Sequence, residues 1–494
     1  MISTIGELLA TRPARITGDA SGALSFGRAL RGATVCAAKA NSRTDGPARV
    51  ALLVPAGPAL AGALLGVMSG ATALPLNPRL TVTELAFTLD DAAVDVLLVD
   101  ADYPHAAAAV AVARSRSIPV VDLAEVAEEP LGRATTVDRV ADDIALLLHT
   151  SGTTARPKLV PLRQRNLLAS AAAVARSLGL THDDRGLAVM PLFHIHGIIG
   201  SLLSSVWAQA TLHVVPFDAF RFQTLLSSER ITWTSAVPTM YQAMLSRPAV
   251  ELPGTLRFAR SSSSPLSTPI WTGMQERLGC MVVNSYGMTE ASHQMASTPT
   301  SVDSTFFGTV GRAAGPEIAV VTPSGLMSRG LGELVIRGDG VIVNYLSPAS
   351  ANDDAFVDGW FRTGDTGTID DGDVIRLLGR LKELINVGGE KVSPFEVDDV
   401  LLAHPAVAEA VAFAAPSELL GEVVHAAVVL SSDLDAAALR RHAREHLAKC
   451  KVPTRIHFVT EIPKGSTGKV QRIHLAAQLG LSSEMSEVDA RSGR

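Results

Sequence analysis

The chain of 494 residues is 47% hydrophobic and 19% charged, so it can form two or more buried cores without support from disulfides. Its net charge of −6 at pH 7 argues against nucleic acid or an anionic membrane surface as a partner. The three cysteines show no metal-binding spacing and the first 20 residues lack a secretory signal, so we expect a cytoplasmic protein with reduced thiols.

Strands and helices are predicted to alternate over the first three-fifths of the chain. Residues 49–100 contain the apolar run VALLV, an Ala/Leu/Gly-rich helix, a short strand, a second helix that opens at Thr81 and the strand VDVLLVD. Further apolar strands are predicted at residues 214–218, 231–237 and 281–287. Alternation of this kind favours right-handed crossovers, so we expect an α/β domain with mainly parallel sheets.

The pattern changes twice in the second half of the chain. Beyond Gly308, short apolar runs separated by glycines predict a small antiparallel β unit, and after Gly379 the pattern predicts a separate α+β unit. The expected fold class is therefore α/β, with a large multi-layer N-terminal domain of residues 1–381. A small mobile α+β domain of residues 382–494 is expected to follow it.

Residues 187–206 are apolar enough to suggest a membrane span. Pro191, Gly197, Gly200 and two histidines interrupt this run, and each would break a helix or need a polar partner in lipid. We therefore expect no membrane span here.

The run TSGTTARPK, residues 150–158, follows an apolar strand predicted at residues 144–149. Its four hydroxyl groups, its backbone amides and its two cations can converge on an anion at the edge of a sheet. A nucleoside triphosphate suits this composition. A Ser/Thr-rich surface loop is the alternative that the run alone leaves open.

Four further runs carry residues suited to nucleotide chemistry. In NSYGMTE (284–290), a tyrosine can stack on a purine, a threonine can reach a phosphate and a glutamate can hold Mg²⁺. In WFRTGDTG (360–367), an aspartate after a glycine turn can accept hydrogen bonds from both hydroxyls of a ribose. Taken singly, each run has a structural alternative such as a plain turn, an Asx-type cap or a solvated basic loop. The runs are NSYGMTE (284–290), WFRTGDTG (360–367), GRLKELINVGGEKVSPFEV (379–397) and PKGSTGKVQR (463–472).

In this order, the five runs resemble those of the adenylate-forming superfamily, which contains acyl-CoA synthetases, luciferases and peptide-synthetase adenylation domains. The resemblance covers nearly the whole chain and implies an enzyme that activates carboxylic acids with ATP. It implies that the first run binds the β- and γ-phosphates and that the third binds ribose. The second run is implied to contact adenine, the α-phosphate and Mg²⁺, with Glu290 as the metal ligand. The residues implied are Thr150, Ser151, Gly152, Thr153, Thr154, Lys158, Tyr286, Thr289, Glu290, Asp365, Arg380, Lys382 and Lys469.

The same resemblance implies two half-reactions that use ATP, Mg²⁺ and coenzyme A. The acid first attacks the α-phosphate, with Lys469 between the two anions, and the thiolate of CoA then attacks the acyl carbon. Rotation of the small domain about Lys382 would separate the two steps and bring Gly388 and Gly389 into the tunnel for pantetheine. Ala155 replaces the glycine usual in the phosphate loop, which we expect to tune ATP affinity.

The run PLFHIHG, residues 191–197, resembles the segment that lines the acyl pocket and gates the CoA tunnel. His194 stands where peptide-synthetase adenylation domains have an aspartate-bearing segment, which favours an acyl-CoA synthetase and a catalytic role for this histidine. Donors from His196, Ser263 and His293 could hold a second carboxylate, although structural histidines are the alternative. These motifs look closest to the oxalate–CoA ligase branch.

Other functions remain open from the sequence. A medium- or long-chain fatty acyl-CoA ligase and an adenylation enzyme that loads a carrier protein both fit the general resemblance. A P-loop phosphotransferase would need GxxxxGK[ST] after a strand, where this chain has TSGTTARPK. A nucleotide-binding scaffold without turnover is disfavoured because Glu290, Asp365, Arg380 and Lys469 are all present.

Overall fold

The computed structural model describes residues 2–19, 24–129, 138–150, 157–252, 254–301, 306–463, 470 and 472–480. Several residues of the predicted site lie outside the described residues: Ser151, Gly152, Thr153, Thr154, Ala155 and Lys469.

The first part of the chain forms a six-stranded sheet in the order β5-β4-β2-β3-β6-β7, which is parallel except for the antiparallel pair β6 and β7. Helix α4 opens at Thr81 with a capping box to Glu84, as the sequence predicted. The elements in chain order are α1 (Ile5–Thr11), β1 (Arg15–Thr17), α2 (Phe26–Asn41), β2 (Arg49–Leu53), α3 (Pro58–Gly70), β3 (Thr72–Pro75), α4 (Val82–Asp91), β4 (Val96–Val99), α5 (Ala106–Ser115), β5 (Val120–Asp122), α6 (Leu123–Ala127), β6 (Ile144–Thr150), β7 (Lys158–Arg163) and α7 (Gln164–Ser177).

Both faces of this sheet are covered, which explains why its strands are continuously apolar. Side chains alternate between faces along a strand, so Val50 and Leu52 of β2 pack with α2 and α3, whereas Ala51 and Leu53 pack with α4 and α5. Parallel sheets with helices on both sides need such runs.

The next part of the chain forms an eight-stranded sheet in the order β1-β9-β8-β10-β11-β12-β13-β14. Its strands from β1 to β12 in this order are parallel. Strand β13 pairs antiparallel with β12, and β14 pairs antiparallel with β13. The elements in chain order are β8 (Arg185–Ala188), α8 (Ile195–Gly197), a π-helical turn (Ile198–Leu203), α9 (Ser204–Ala208), β9 (Thr211–Val214), α10 (Phe222–Ser228), β10 (Trp233–Ala236), α11 (Pro238–Leu245), β11 (Phe258–Ser262), α12 (Thr268–Leu278), β12 (Met281–Met288), a 3₁₀ turn (Thr289–Ala291), β13 (His293–Ser297) and β14 (Arg312–Ala313).

One core cluster lies between the two sheets, since it contains Leu52 and Leu98 of the first sheet and Trp233 and Phe258 of the second. The outer face of the second sheet packs against α10, α11 and α12. The strand predicted at residues 214–218 is misplaced, because β9 ends at Val214. Pro216 has no N–H group and cannot continue the ladder.

The predicted antiparallel β unit forms a third sheet in the order β16-β15-β17-β19-β18, with β20 paired to β19. Its strands are β15 (Glu317–Thr322), β16 (Gly325–Met327), β17 (Gly330–Arg337), β18 (Phe356–Val357), β19 (Trp360–Ile369) and β20 (Ile375–Arg380).

A fourth sheet, in the order β22-β21-β24-β23 with β25 parallel to β24, builds the α+β unit near the C-terminus. Its core cluster draws only on residues between Ile385 and Ile456. A domain division after residue 381 stays a prediction. The elements are β21 (Ile385–Val387), β22 (Glu390–Val392), α13 (Pro394–Leu402), β23 (Val407–Ser417), β24 (Gly421–Leu430), α14 (Ala436–His446), β25 (Arg455–Phe458) and α15 (Leu475–Gln478).

Within the described ranges, no helix has the length and apolar character needed to cross a membrane. The apolar run at residues 187–206 is divided among β8, α8, the π-helical turn and α9.

Candidate active site

The phosphate-binding loop predicted from the sequence connects β6 to β7. Thr150 ends β6 and Lys158 begins β7, and the two residues face each other in the antiparallel register. The hydroxyl oxygen of Thr150 is buried and has no hydrogen-bond partner among the described residues. A buried hydroxyl without a partner is costly, so this atom suits a ligand that supplies phosphate oxygens.

Lys158 and Glu290 are joined through an aromatic residue that the sequence reasoning missed, Tyr345. The Lys158 ammonium lies 4.3 Å from the centroid of the Tyr345 ring, and the Tyr345 hydroxyl donates a 2.9 Å hydrogen bond to Glu290 Oε1. Burial and the Glu290 charge raise the pKa of Tyr345, so the hydroxyl stays a donor. Its place in the apolar run VIVNYL, residues 341–346, predicts a strand of the small β unit, but the structure has no strand there.

Electrostatics place Lys158 in the same site as Glu290 and Lys382. Burial lowers the pKa of the Lys158 ammonium, Glu290 partly opposes this shift, and the positive charge of Lys382 adds to it. Glu290 is itself buried and has a carboxylate oxygen of the kind that Mg²⁺ prefers. The donor set at this point therefore fits a metal–phosphate ligand.

Asp365 and Arg380 meet because the antiparallel register of β19 and β20 sets them opposite each other. Arg380 Nε lies 2.8 Å from Asp365 Oδ1, and the hydroxyl of Tyr286 donates to Asp365 Oδ2. Asp365 raises the pKa of Arg380, and burial followed by the Asp365 charge raises the pKa of Tyr286. Both partners thus hold Asp365 as an oriented carboxylate, as a ribose-binding role requires.

The three residues predicted to hold a second carboxylate lie together in the structure. His196 Nδ1 is 3.1 Å from Ser263 Oγ, and the rings of His196 and His293 stack with 4.9 Å between their centroids. The two histidines are only 1% and 2% exposed. The carboxyl ends of parallel strands are the usual ligand edge of such sheets, and Ser263 directly follows β11.

The backbone of this pocket is strained at three of its residues. Ser263, Ser292 and His293 have φ values of 74°, 52° and 98°, which lie in a region that residues other than glycine rarely adopt. Strain of this kind persists where the surrounding packing holds it and is typical of functional sites. The pocket is therefore built for the orientation of its side chains.

Arg260 is a further residue of this site that is not among those predicted from the sequence. It is fully buried in β11, and its guanidinium contacts residues of β10, β12 and β13. Its partners are Ser285 Oγ at 2.9 Å, Ser235 Oγ at 3.1 Å, His293 Nε2 at 2.9 Å and Gln294 Oε1 at 3.0 Å. An arginine within an otherwise buried strand was the signal available in the sequence.

Comparison with known proteins identifies the family of this chain. The profile of the AMP-binding enzyme family matches residues 40–346, and that of the AMP-binding enzyme C-terminal domain matches residues 396–469. The chain belongs to the AMP-binding enzyme family.

Curated relatives of this AMP-binding enzyme are acid–CoA ligases. The oxalate–CoA ligase of Arabidopsis thaliana is 38% identical over 82% of this chain and 83% of its own length. The sulfoacetate–CoA ligase of Cupriavidus necator is 33% identical over 96% of this chain and 98% of its own length. This AMP-binding enzyme is therefore an ATP-dependent, AMP-forming acid–CoA ligase.

A solved structure supports the fold and the nucleotide site. The ATP-bound MatB of Rhodopseudomonas palustris superposes with a TM-score of 0.87 and 28% identity, covering 98% of this chain and all of the other. This AMP-binding enzyme accordingly binds ATP.

The remaining predicted residues of this AMP-binding enzyme lie on several elements. Thr289 is half-buried in the 3₁₀ turn beside Glu290, and the His194 ring packs on Phe193 with 4.6 Å between centroids. Gly388 and Gly389 form the exposed turn between β21 and β22, with φ values of 59° and 96°. Their predicted parts in catalysis and in the CoA tunnel stay predictions.

Proposed function

We propose that this acid–CoA ligase activates oxalate, forming oxalyl-CoA, AMP and pyrophosphate through an oxalyl-adenylate. The observation that carries the proposal is the buried contact among His196, Ser263 and His293. Polar groups that are buried must find hydrogen-bond partners. A second carboxylate can take part in the hydrogen bonds of this polar pocket, whereas an alkyl chain cannot.

The relatives support a small acid with two negative charges. Oxalate and sulfoacetate, named for the Arabidopsis and Cupriavidus enzymes, are both short acids with a second anionic group. Sulfoacetate is the second candidate substrate, because that relative matches nearly the full length of both chains.

In the first half-reaction, a carboxylate oxygen of the acid attacks the α-phosphorus of ATP and pyrophosphate leaves. We assign the β- and γ-phosphates to Lys158 and to the loop from Thr150 to Thr154, since the Thr150 hydroxyl is buried without a partner among described residues. Asp365 and Arg380 would orient the ribose, and Tyr286 the adenine. Lys469 would lie between the two reacting anions.

Mg²⁺, when bound at Glu290, neutralises the charge that develops on the departing pyrophosphate. Tyr345 holds the Glu290 carboxylate in place through its 2.9 Å hydrogen bond, and Thr289 would reach the α-phosphate. His194 stands beside the short helix that carries His196, where it can guard the path between the acyl pocket and the thiol.

In the second half-reaction, the CoA thiolate attacks the acyl carbon of the adenylate and AMP leaves. We infer that residues 382–494 rotate about Lys382 between the steps, so that Lys469 withdraws and the Gly388-Gly389 turn lines the path of pantetheine. The positive φ values of both glycines suit a turn whose backbone approaches a ligand.

An acid panel tests the substrate. We expect kcat/KM for oxalate to exceed that for octanoate by at least about 10³-fold, because the buried donors reject a chain that cannot pair with them. The measurement is CoA-dependent AMP release with oxalate, malonate, sulfoacetate and fatty acids of 8 to about 16 carbons. Fatty acids that surpass oxalate would refute the proposal. Pyrophosphate exchange with the acid but no AMP release on addition of CoA would favour a carrier protein as acceptor.

A matched pair of serine variants tests the pocket itself. Ser263→Ala should raise KM for oxalate by roughly 10-fold, the usual cost of a lost hydrogen bond to a charged group. Ser264→Ala, the next serine of the same run, should leave it within about 2-fold. Equal effects of the two variants would remove Ser263 from the pocket.

A further inference from the structure

Arg260 is a buried cation that has only neutral partners among the described residues. Burial lowers the pKa of its guanidinium to about 9, so it stays charged at neutral pH, and Tyr241 is the ionisable residue that opposes the shift. Buried charges ordinarily have an anionic partner. The position of this cation under the acyl pocket therefore calls for an explanation.

The contact with His293 fixes the tautomer of that ring. An arginine side chain only donates hydrogen bonds, so the 2.9 Å contact from Arg260 Nη2 requires a lone pair on His293 Nε2. The proton of the neutral ring is then on Nδ1. Arg260 thus makes His293 Nδ1 a donor.

The contact with Ser235 fixes a second tautomer. Ser235 Oγ accepts from Arg260 Nη1 at 3.1 Å and lies 2.7 Å from His196 Nε2. If the serine also accepted from His196, its own proton would have no acceptor among the hydrogen bonds of the described residues. Ser235 therefore donates to His196 Nε2, and His196 Nδ1 carries the proton.

The direction of this chain of hydrogen bonds continues into the pocket. His196 Nδ1–H donates to Ser263 Oγ at 3.1 Å, so the Ser263 hydroxyl proton is directed to a group other than this histidine. Reversing the chain would make Ser263 donate to His196 and offer the ligand an acceptor. An acceptor would repel a carboxylate.

Close packing keeps the guanidinium in this position. A Cβ atom at Gly200, in the π-helical turn, would lie 2.9 Å from Arg260 Nη1 and 2.7 Å from His293 Nε2. The backbone of the turn therefore lies close to both groups, and any side chain at residue 200 would displace one of them.

We propose that Arg260 is a positioning residue that makes the acyl pocket a site of hydrogen-bond donors and supplies the positive charge for the second anionic group of the substrate. It does so by fixing the proton of His196 and His293 on Nδ1. The proposal rests on the proposed function for the identity of the acid, but the tautomers and the coupling belong to the chain itself.

Nitrogen NMR of the wild-type protein labelled with ¹⁵N-histidine tests the tautomers without any substrate. We expect both His196 and His293 to carry the proton on Nδ1, with the signals assigned from His196→Gln and His293→Gln variants. A proton on Nε2 of either ring would overturn the proposal. Because no acid is present, this result does not depend on oxalate being the substrate.

A double-mutant cycle tests the chain of hydrogen bonds in the working enzyme. In pyrophosphate exchange, Arg260→Met should raise KM for oxalate at least 100-fold with KM for ATP within 3-fold, and Arg260→Lys should recover part of the loss. Ser235→Ala should raise KM for oxalate about 10-fold in the wild type but by less than about 2-fold in the Arg260→Met background. Additive effects would overturn the proposal.

The outcomes separate this proposal from the choice of acid. If the acid panel selects sulfoacetate, the same cycle is run with sulfoacetate and the same coupling is expected. If it selects a fatty acid and the Arg260→Met variant keeps wild-type KM for it, both the proposed substrate and the role of Arg260 fail. If the tautomers are as expected while oxalate is inactive, only the substrate fails.

Discussion

At the residue scale, Asp365, the carboxylate proposed to bind ribose, is held by two contacts. Arg380 contacts one of its oxygens at 2.8 Å and Tyr286 donates to the other. A ribose that binds here must share or replace these contacts. The ion pair orients one carboxylate oxygen of Asp365, whereas the Tyr286 hydroxyl competes with the sugar for the other.

The first prediction separates the two contacts. Asp365→Asn should raise KM for ATP by about 10- to 100-fold, because hydrogen bonds to a charged acceptor are worth roughly 1.5–3 kcal/mol. Tyr286→Phe keeps the ring and removes only the competing hydroxyl, so its KM for ATP should stay within about 3-fold of wild type. Pyrophosphate exchange at saturating acid measures both. A larger loss in the tyrosine variant would show that its hydroxyl contacts ATP.

At the scale of elements, the fourth sheet contains a histidine pair between two neighbouring strands. His457 Nε2 on β25 lies 3.2 Å from His425 Nδ1 on β24. Burial, followed by the charges of His457 and Arg455, lowers the pKa of His425 to about 4. An unfolded histidine titrates near 6.5, so the unfolded state binds more protons between these two values.

The second prediction follows from this linkage. Stability from a neutral His425 is fully present above about pH 6.5 and is lost as the pH falls toward 4. His425→Phe should therefore reduce the drop in Tm between pH 7.5 and pH 5. Circular dichroism of the full chain measures it, and His182→Gln, at an exposed histidine, is the control. An unchanged drop in the His425 variant would contradict the linkage.

At the scale of the whole molecule, the fourth sheet and helix α13 contact earlier parts of the chain. Gln242 of α11 donates a 2.9 Å hydrogen bond to the carbonyl of Ala408 in β23, and Ser393 donates to the carbonyl of Leu378. Among the described residues, the apolar cores on the two sides of these contacts are separate clusters. Interfaces of this kind permit relative motion of domains.

The third prediction tests that motion. Lys469→Ala should lose adenylation by at least about 10²-fold, the cost of removing one stabiliser of transition-state charge, while acyl-adenylate supplied with CoA still forms the thioester. Single-turnover assays of each half-reaction measure it. Lys451→Ala, which removes a surface lysine paired with Glu396, should leave both steps unchanged. Equal loss of both steps in the Lys469 variant would exclude the assignment.

The amino-acid sequence by itself determined the fold class and the order of the nucleotide motifs. Continuous apolar strands alternating with helices require a parallel sheet covered on both sides, and this rule needs no coordinates. That His196 and Ser263 lie near each other was also expected, but from the resemblance of the run PLFHIHG to the acyl-pocket segment of the family.

Only the tertiary structure decided which neutral or charged groups complete the site. Tyr345 contacts Glu290 across 55 positions of sequence. Arg260 contacts His293 directly and His196 through Ser235. A tyrosine in an apolar run or an arginine in a strand has no periodicity that marks its partner. Direction of hydrogen bonding and burial of charge depend on distances across elements, which folding alone fixes.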